Sequence, residues 1–557
     1  MILRTTSSNG EVLRAGSNGS KELTARVVLR FLVVALLSVS VTPFGMSQVR
    51  SNNEGTSQQR PPTSLAERIR KVIDRPEFRH SIFGIEFYSL DQGKPVFSIN
   101  ADKLFIPAST TKLVTEGTAL ELLGPDYRFH TRVCRDGAIT GDGTLKGDLV
   151  LMASGDPNLS GRVRDGKLDF ENLDHSYAGS PYTKAVPGNP LAAISDLARQ
   201  IAAHHIKQVT GHVRVDISLF PEGERELGTN VVISPIMIND NVIDVTVGPG
   251  ESEGAPIVFK SAPQTSYAMF VNHAITGKQG SRPSIEFSSD IANNDGTRTV
   301  TITGSFPAGQ KPILFAYVVP VPSRFAEILL VEALRDQGIE VSIDHEAPPI
   351  VKTAPSCAGE NIIAELISPP FKEEAKVTLK VSQNLHASAT PFILGAVLGK
   401  ASGRNGFDLE REFLTRAGLD LSGAYQSDGE GGNASFTPEF MVSFLAYMST
   451  QKQYQNFLSA LPILGRDGSL WNIQSESKAA GHVFAKTGTS EDKDLLNRRM
   501  MLGAKGLAGY MTTAENQHLV FAIYVNHVSV PDEPEAPTTI AGQALGEIAA
   551  AAYDSVE

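Results

Sequence analysis

The chain has 557 residues, more than one hydrophobic core usually fills, so two or three domains are expected. Apolar residues make up 41% and charged residues 20%, a balance that excludes a disordered or fibrous chain. The formal net charge is −11 and the chain has no basic cluster, which argues against a nucleic-acid partner.

The N-terminal residues follow the order of a secretory signal. Arg26 and Arg30 precede an apolar stretch at 31–41, which is short for a membrane span of about 20 residues. Residues 1–47 are therefore expected to be a signal peptide, with an uncleaved anchor as the alternative because the cleavage site is weak. Residues 48–63 are rich in Ser, Asn and Gln and are expected to be a disordered linker. Such a chain would act in the periplasm or elsewhere outside the cytoplasm.

Two strands and a helix are predicted next. Residues 83–89 and 95–99 have the composition of strands around a turn. A helix is predicted to begin near Ser109, because apolar residues recur after it at helical spacing, and to stop at Gly124.

A long interval follows this helix, and most of it is predicted to be β-rich. One helix is predicted within it, at 325–337, where it ends before a glycine. The interval provides enough chain for a domain or two inserted into a loop of another domain. Its predicted strands lie at 147–151, 211–216, 242–247, 299–304 and 312–318.

The C-terminal part is predicted to alternate again between helices and strands. Residues 377–399 are predicted to be helical, in two pieces broken before Pro391. Strands and helices from the two ends of the chain can form one mixed α/β layer. Three strands and a closing helix are predicted at 482–487, 506–511, 519–526 and 538–553.

The sequence Ser-Thr-Thr-Lys would place a nucleophile beside a base. Because Pro107 leads into the helix, Ser109 would lie at its N-terminus, where free N–H groups favour negative charge. A spacing of three puts Lys112 on the same face, and an enclosed lysine near another cation loses its proton more easily. The pattern Ser-x-x-Lys also begins at Ser449, Ser475 and Ser490. Ser109 is chosen as the nucleophile because of its position at the start of the predicted helix.

Ser382-Gln383-Asn384 follows in a folded, amphipathic region. Other Ser-x-Asn sequences of the chain lie in the N-terminal leader and tether or precede the first motif. Ser382 could relay a proton to a leaving amine, and Asn384 could position both substrate and lysine.

Lys486-Thr487-Gly488 lies on a predicted strand. Lys486 and Thr487 would bind a carboxylate, and Gly488 would allow a peptide to approach the strand edge closely. Each motif is weak alone, but the three in this order indicate one acyl-transfer site.

With these motifs the chain resembles the three-domain class C penicillin-binding proteins, which are serine D-Ala-D-Ala carboxypeptidases and endopeptidases. The resemblance runs from about Ala66 to Tyr553. The long interval after Lys112 is also a mark of that family. Further short matches are Gly147-Asp148-Leu149, Gly155-Asp156-Pro157, Ser368-Pro369-Pro370, Asp428-Gly429, Asp467-Gly468 and Leu507-Ala508-Gly509-Tyr510.

The resemblance implies an α/β (α+β) fold: a serine transpeptidase/β-lactamase-like catalytic domain with inserted β-rich domains. It implies that the catalytic domain comprises 64–155 and 350–557. The inserted β-rich domain would comprise 156–349, with a small domain nested at about 262–317.

The resemblance also implies the chemistry. Ser109 would form an acyl-enzyme with Lys112 as base, and the backbone N–H groups of Ser109 and Thr489 would bind the oxyanion. Asp216 would contact a substrate amine. The substrates would be peptidoglycan stem peptides ending in D-Ala-D-Ala, or their cross-links, and β-lactams would be covalent inhibitors. Because no Cys/His cluster has metal-ligand spacing, no metal or other cofactor is expected.

Three features depart from the family pattern. Gln383 occupies a position at which the family often has Asp. Its side chain is expected to face away from the reacting groups, so this difference is not expected to matter. Glu430 stands where Ser is usual and could alter the pocket rim. The charged segment 490–503 is expected to be a long turn that could cover or crowd the site.

Two questions stay open from the sequence. Cys134 and Cys357 are 357 − 134 = 223 positions apart, and they are treated as unpaired.

A β-lactamase or esterase using the same site is one alternative function. A wall-binding scaffold that has lost catalysis is another.

Overall fold

The computed structural model describes residues 64–342 and 357–555. The predicted signal segment, 1–47, and linker, 48–63, lie outside the described residues. Within the described ranges no helix is both long enough and apolar enough to cross a membrane.

The strands of the described residues form several separate sheets. In chain order they are β1 Ile82–Ser89, β2 Lys94–Ile99, β3 His130–Ile139, β4 Thr144–Met152, β5 Val163–Arg164, β6 Lys167–Leu168, β7 Gln208–Val209, β8 Val213–Asp216, β9 Val242–Gly248, β10 Val258–Ala262, β11 Ala268–Asn272, β12 Ile275–Gly277, β13 Glu286–Ala292, β14 Arg298–Thr303, β15 Ser305–Pro307, β16 Ile313–Val318, β17 Ile362–Ile367, β18 Ala424–Gln426, β19 Ala434–Phe436, β20 Val483–Asp494, β21 Arg499–Thr512 and β22 His518–Pro531.

The α-helices of the described residues concentrate towards the two ends of the chain. They are α1 Leu65–Ile73, α2 Lys112–Leu122, α3 Ala192–Ala202, α4 Pro322–Asp336, α5 Phe371–Val377, α6 Asn384–Leu394, α7 Gly406–Arg416, α8 Pro438–Ser449, α9 Tyr454–Ala460 and α10 Gln543–Tyr553.

The first sheet joins strands from the N-terminal and C-terminal parts of the described residues. Its order is β2-β1-β22-β21-β20, and every neighbouring pair is antiparallel. Strand β22 is apolar on both faces: Phe521 and Ile523 pack with α1 and α10, whereas Ala522 and Tyr524 pack with α2 and α8. Because side chains alternate along a strand, a continuous apolar run is what a strand buried on both faces requires. The predicted mixed α/β layer, with the two chain ends meeting, is confirmed.

The interval between the first two motifs is rich in strands, as predicted. A second sheet has the order β17-β3-β4-β7, with β8 parallel to β4. Three-stranded sheets β10-β9-β16 and β11-β14-β13 follow. Helices α3 and α4 share one apolar core with these sheets. The domain boundaries given above stay a prediction.

Two predictions for the C-terminal part are wrong. The helical region does not break before Pro391, which lies inside α6. It breaks at Ser382, where a π-helical turn ends, because Gln383 is extended and its side chain accepts the N–H of Leu385 to start a new helix.

The segment 490–503 is not a long turn. Strands β20 and β21 continue to pair through it as far as Asp494 and Arg499, and β22 extends alongside. The extension is stable as a sheet because Leu502, Val528 and Val530 are buried beneath it.

Cys134 and Cys357 form a disulfide, so treating them as unpaired was wrong. Cys134 lies on β3, and β17 pairs with β3 only a few residues after Cys357. Sheet pairing thus brings the two Cα atoms to 5.6 Å despite 223 positions of sequence.

This disulfide makes a testable prediction. Unfolded but unreduced protein should react with no iodoacetamide, and reduced protein should take up two equivalents. Cys357→Ser should expose one thiol and lower the free energy of unfolding by about 2–5 kcal/mol. Two alkylated cysteines in mass spectra without reductant would contradict the pairing.

Candidate active site

Ser109 lies in a tight turn at the start of helix α2. Residues Ala108–Thr111 form a 3₁₀ turn that runs directly into the helix. Ala108 has a left-handed φ of 45°, which turns the chain just before the serine. The Nζ atom of Lys112 donates a hydrogen bond to Ser109 Oγ over 2.8 Å. The predicted nucleophile and base are therefore in direct contact.

Two glycines from distant segments pack against this turn. A Cβ atom on Gly488 would lie 2.3 Å from the carbonyl oxygen of Pro107, and one on Gly431 would lie 2.0 Å from that of Ala108. Any side chain at either position would displace the turn that carries Ser109. The third motif is thus in contact with the first, and only glycine permits this approach.

The Lys112 side chain is fully buried, and three acceptors surround its amine. In addition to Ser109, Nζ donates to Asn384 Oδ1 over 2.6 Å and to the backbone oxygen of Glu430 over 3.3 Å. Burial lowers the pKa of Lys112 to about 8, although the carboxylates of Glu430 and Glu226 oppose this change. A substantial fraction of the amine is therefore neutral near pH 8, as a general base requires.

Ser382 marks the end of the π-helical turn before α6. Its φ is 71°, a left-handed conformation that costs a non-glycine residue on the order of 1–3 kcal/mol. The Nζ atom of Lys486 donates to Ser382 Oγ over 2.7 Å and to the backbone oxygen of Thr487 over 2.9 Å. The second and third motifs are therefore joined by a lysine–serine contact like that of the first.

The third motif lies on β20, the last strand of the first sheet. Thr487 Oγ1 is 2.7 Å from Ser469 Oγ, and Thr489 Oγ1 accepts a hydrogen bond from Lys505 Nζ over 2.7 Å. The strand edge and its hydroxyl groups can accommodate an extended peptide.

Three buried lysines, Lys112, Lys486 and Lys505, lie close together at this site. Burial lowers the pKa of Lys486 well below its usual range, and the neighbouring ammonium groups of Lys112 and Lys505 lower it further. Burial also lowers the pKa of Lys505 to about 8. Both shifts favour the neutral amine.

Asp216 is not joined to this cluster by any contact between described residues. It ends β8, is buried, and its carboxylate accepts the N–H of Ser218 over 2.7 Å. This contact stabilises the turn after the strand. A role for Asp216 with a substrate amine stays a prediction.

As the sequence predicted, the Gln383 side chain does not face the reacting groups, and it is bonded to residues outside the three motifs. Its Nε2 atom donates to Asp240 Oδ2 and to Ser176 Oγ, each over 2.9 Å. Both partners belong to the segment 156–349. Because Gln383 lies between Ser382 and Asn384, these bonds attach the second motif to that segment.

Asp240 is the centre of a buried network of charges. Arg162 Nη2 donates to Asp240 Oδ2 over 2.6 Å and to Asp174 over 2.8 Å. His175 and His386 also contact Asp240, at 2.9 and 3.2 Å. Burial alone would raise the pKa of Asp240, but Arg162 and His386 hold it well below its usual range. No sequence spacing indicates this network, because its members are far apart in the chain.

One group in this network has the residue types of a metal site. Asp174, His175 and Asp240 each offer a ligand atom, and these atoms lie within 4.8 Å of one another. The guanidinium of Arg162 already binds both carboxylates, at 0% side-chain exposure. We therefore assign the group to ion pairing that supports Gln383.

Glu430 lies beside Lys112, the predicted base. Its Oε1 atom accepts the backbone N–H of Leu227 over 2.6 Å. Burial raises the pKa of Glu430 to about 8; Lys112 opposes this rise and Glu226 adds to it. The departure from serine at this position thus places an ionisable group where it can alter the charge on Lys112.

Leu227, whose backbone N–H donates to Glu430, belongs to the segment 226–229, which also contacts the second motif. The carboxylate of Glu226 accepts the N–H groups of Gly228 and Thr229, each over 2.7 Å. A Cβ atom on Gly228 would lie 1.9 Å from Asn384 Nδ2. The segment 226–229 therefore forms one wall of the site, and no motif in the sequence predicted this.

Comparison with known proteins identifies the family. Residues 65–545 match the D-Ala-D-Ala carboxypeptidase 3 (S13) family. The chain belongs to this family. The predicted resemblance to penicillin-binding carboxypeptidases is confirmed.

Curated relatives cover most of the chain. A D-alanyl-D-alanine carboxypeptidase of Actinomadura sp. is 26% identical over 93% of this chain and 89% of that protein. The D-alanyl-D-alanine carboxypeptidase DacB of Haemophilus influenzae is 22% identical over 80% of this chain and 85% of that protein. The protein is a serine-type carboxypeptidase, and the predicted enzyme class is confirmed.

The fold agrees with that of a solved relative. The crystal structure of penicillin binding protein 4 (dacB) from Haemophilus influenzae superposes with a TM-score of 0.66 at 19% identity. The match covers 87% of this chain and 99% of that chain. The predicted serine transpeptidase/β-lactamase-like fold is therefore confirmed.

The anchoring of Gln383 can be tested by substitution. Gln383→Ala removes the bonds to Asp240 and Ser176, so Ser382 and Asn384 should lose their fixed geometry. We expect kcat/KM to fall by about tenfold, mainly through kcat, because positioning and not binding is lost.

Gln474→Ala serves as the control for Gln383→Ala. Gln474 is also a hydrogen-bonded glutamine; it is half-buried and contacts Gln543 instead of the site. It should keep wild-type kinetics. Equal kinetics for Gln383→Ala and wild type would contradict the positioning role.

Proposed function

We propose that the protein cleaves peptides through a covalent ester on Ser109. The observation that carries this proposal is the pair of contacts between buried lysines and serines, from Lys112 to Ser109 and from Lys486 to Ser382. Asn384 joins the two pairs by accepting from Lys112. Each hydroxyl thus has an amine with which it can exchange a proton.

The reaction follows from these contacts. Ser109 Oγ attacks the peptide carbonyl carbon and Lys112 accepts its proton, which leaves negative charge on the carbonyl oxygen. The backbone N–H groups of Ser109 and Thr489 would stabilise that charge. When the C–N bond breaks, the leaving amine takes a proton from Ser382, and Lys486 returns one to it. Water then attacks the ester carbonyl and passes its proton through Ser382 to Lys486, and Lys112 returns its proton to Ser109 Oγ as the ester bond breaks.

We propose peptidoglycan stem peptides ending in D-Ala-D-Ala, and their cross-links, as the substrates. Two relatives are named D-alanyl-D-alanine carboxypeptidases, and the open edge of β20 suits an extended peptide. Lys486 and Thr487 would bind the substrate carboxylate, with Gly488 leaving room for the peptide. β-lactams should acylate Ser109, and a structure of the Haemophilus influenzae protein is complexed with a β-lactam.

We further propose that the protein acts in the periplasm or elsewhere outside the cytoplasm. The disulfide between Cys134 and Cys357 supports this location, because disulfides persist in oxidising compartments. Residues 1–47 would direct export, and the protein would contact a membrane only if that segment stayed uncleaved. The catalytic domain would be formed by 64–155 and 350–557 around the inserted segment 156–349.

Labelled benzylpenicillin tests the nucleophile. Wild-type protein should gain a single adduct on Ser109, and Ser109→Ala should gain none. Lys112→Met should be acylated about 10²- to 10⁴-fold more slowly, because it lacks the general base. Ser449→Ala, which changes the serine of another Ser-x-x-Lys sequence, should be labelled like wild type. Equal labelling of Ser109→Ala would contradict the assignment.

The fate of natural substrate separates the alternative functions. Mass analysis of a digested peptidoglycan should show loss of terminal D-Ala, and cleaved cross-links would add endopeptidase activity. Rapid hydrolysis of nitrocefin without D-Ala release would instead indicate a β-lactamase. Wall binding without any cleavage would indicate a scaffold.

A further inference from the structure

A buried carboxylate holds the loop 226–231, which belongs to the segment 156–349. Glu226 is 3% exposed, and its carboxylate accepts three backbone N–H groups of this loop. The donors are Gly228, Thr229 and Val231, at 2.7, 2.7 and 3.0 Å. Removing a carboxylate from water costs free energy unless donors replace the water. These bonds therefore favour a single conformation of the loop.

A second loop, 428–433, connects the first one to the predicted base. Asp428 accepts the backbone N–H of Glu430 over 3.0 Å. The carboxylate of Glu430 accepts the N–H of Leu227 in the loop 226–231 over 2.6 Å. The backbone oxygen of Glu430 accepts from Lys112 Nζ over 3.3 Å. Direct hydrogen bonds thus join both loops to the amine of Lys112.

Gly228 lies against the side-chain amide of Asn384. A Cβ atom at position 228 would lie 1.9 Å from Asn384 Nδ2 and 3.1 Å from its Cγ. Only glycine permits this approach, and a loop that merely connected two strands would not need glycine here. On its other side, the amide accepts from Lys112 Nζ through Oδ1 over 2.6 Å. The amide of Asn384 is therefore enclosed between the loop and the predicted base.

Helix α6 alone does not fix this amide. Asn384 is the first residue of the helix and is half-buried, so its side chain can adopt other rotamers. Only a rotamer with Oδ1 towards Lys112 supplies an acceptor to the amine. Contact with the backbone of Gly228 restricts the amide to that side, so the site is assembled before a substrate binds.

We propose that Gly228 is a positioning residue that holds the amide of Asn384 against Lys112. Glu226 and Glu430 support this role by fixing the loop that carries the glycine. The inference rests on the proposed acyl transfer and gives the segment 156–349 a defined part in it. Gly228 would act through Asn384, because its own backbone provides only a surface for the amide.

Gly228→Ala tests this role by adding one methyl group where the amide lies. We expect kcat for release of terminal D-Ala from a stem peptide to fall about tenfold. KM should change by less than about twofold, because the geometry at the base is lost and substrate binding is kept. Gly141→Ala is the matched control and should keep wild-type kinetics, since a Cβ atom there would meet no described atom within 4 Å.

A double-mutant cycle separates positioning from a general structural role. Alone, Gly228→Ala should slow acylation by labelled benzylpenicillin about tenfold. In the Asn384→Ala background the amide is absent, so the same change should slow acylation by less than about twofold. An equal effect in the two backgrounds would overturn the proposal.

Glu226→Ala tests the loop without adding bulk. It removes the acceptor of three N–H groups, so the loop should loosen and kcat should fall about tenfold with KM little changed. The comparison is made near pH 10, where the amine of Lys112 is neutral in both proteins. Wild-type kinetics for both Glu226→Ala and Gly228→Ala would overturn the proposal.

A crystal structure of Gly228→Ala separates this inference from the proposed function. The distance between Lys112 Nζ and Asn384 Oδ1 should increase from 2.6 Å to more than about 3.5 Å. If wild-type protein released no D-Ala and was not acylated by penicillin, the peptidase function would fail. The distance would still decide the role of Gly228: a longer distance would support it, and an unchanged one would overturn it.

Discussion

The contact between the buried Lys112 amine and the Ser109 hydroxyl is the interaction on which this site depends. An ammonium group without solvent costs several kcal/mol, so the protein must either supply partners or let the group lose its proton. It does both, since Asn384 and the backbone of Glu430 accept from the amine while burial favours the neutral form. The same burial that makes the ammonium form of Lys112 costly therefore favours the neutral amine that the proposed mechanism needs.

Burial of this lysine requires that distant parts of the chain meet. The segment 156–349 takes part in two ways: Asp240 holds Gln383 of the second motif, and Leu227 donates to Glu430 beside the base. The segment 156–349 thus supports the active site directly. Variants of Asp240 should therefore alter catalysis through Gln383.

The sequence predicted what depends on local spacing. A separation of three placed Lys112 beside Ser109, and alternating or continuous apolar runs indicated the strands. Contacts between distant positions left no such signal. The Gln383–Asp240 bond and the disulfide each depend on sheet pairing, which a single sequence does not reveal. The sequence did not predict the extended hairpin at 490–503, because the charged side chains on its exposed face are typical of a turn. They did not indicate that the segment pairs with β22.

The most direct test of a buried, neutral lysine base is the pH dependence of penicillin acylation. For wild type the rate should be low at acidic pH, where Lys112 is protonated, and should rise with a midpoint near 8. In Glu430→Gln the loss of a nearby carboxylate should move this midpoint to lower pH, while the retained amide oxygen still accepts from Leu227. A rate that is constant from about pH 6 to 10, or a midpoint that Glu430→Gln raises, would contradict the account.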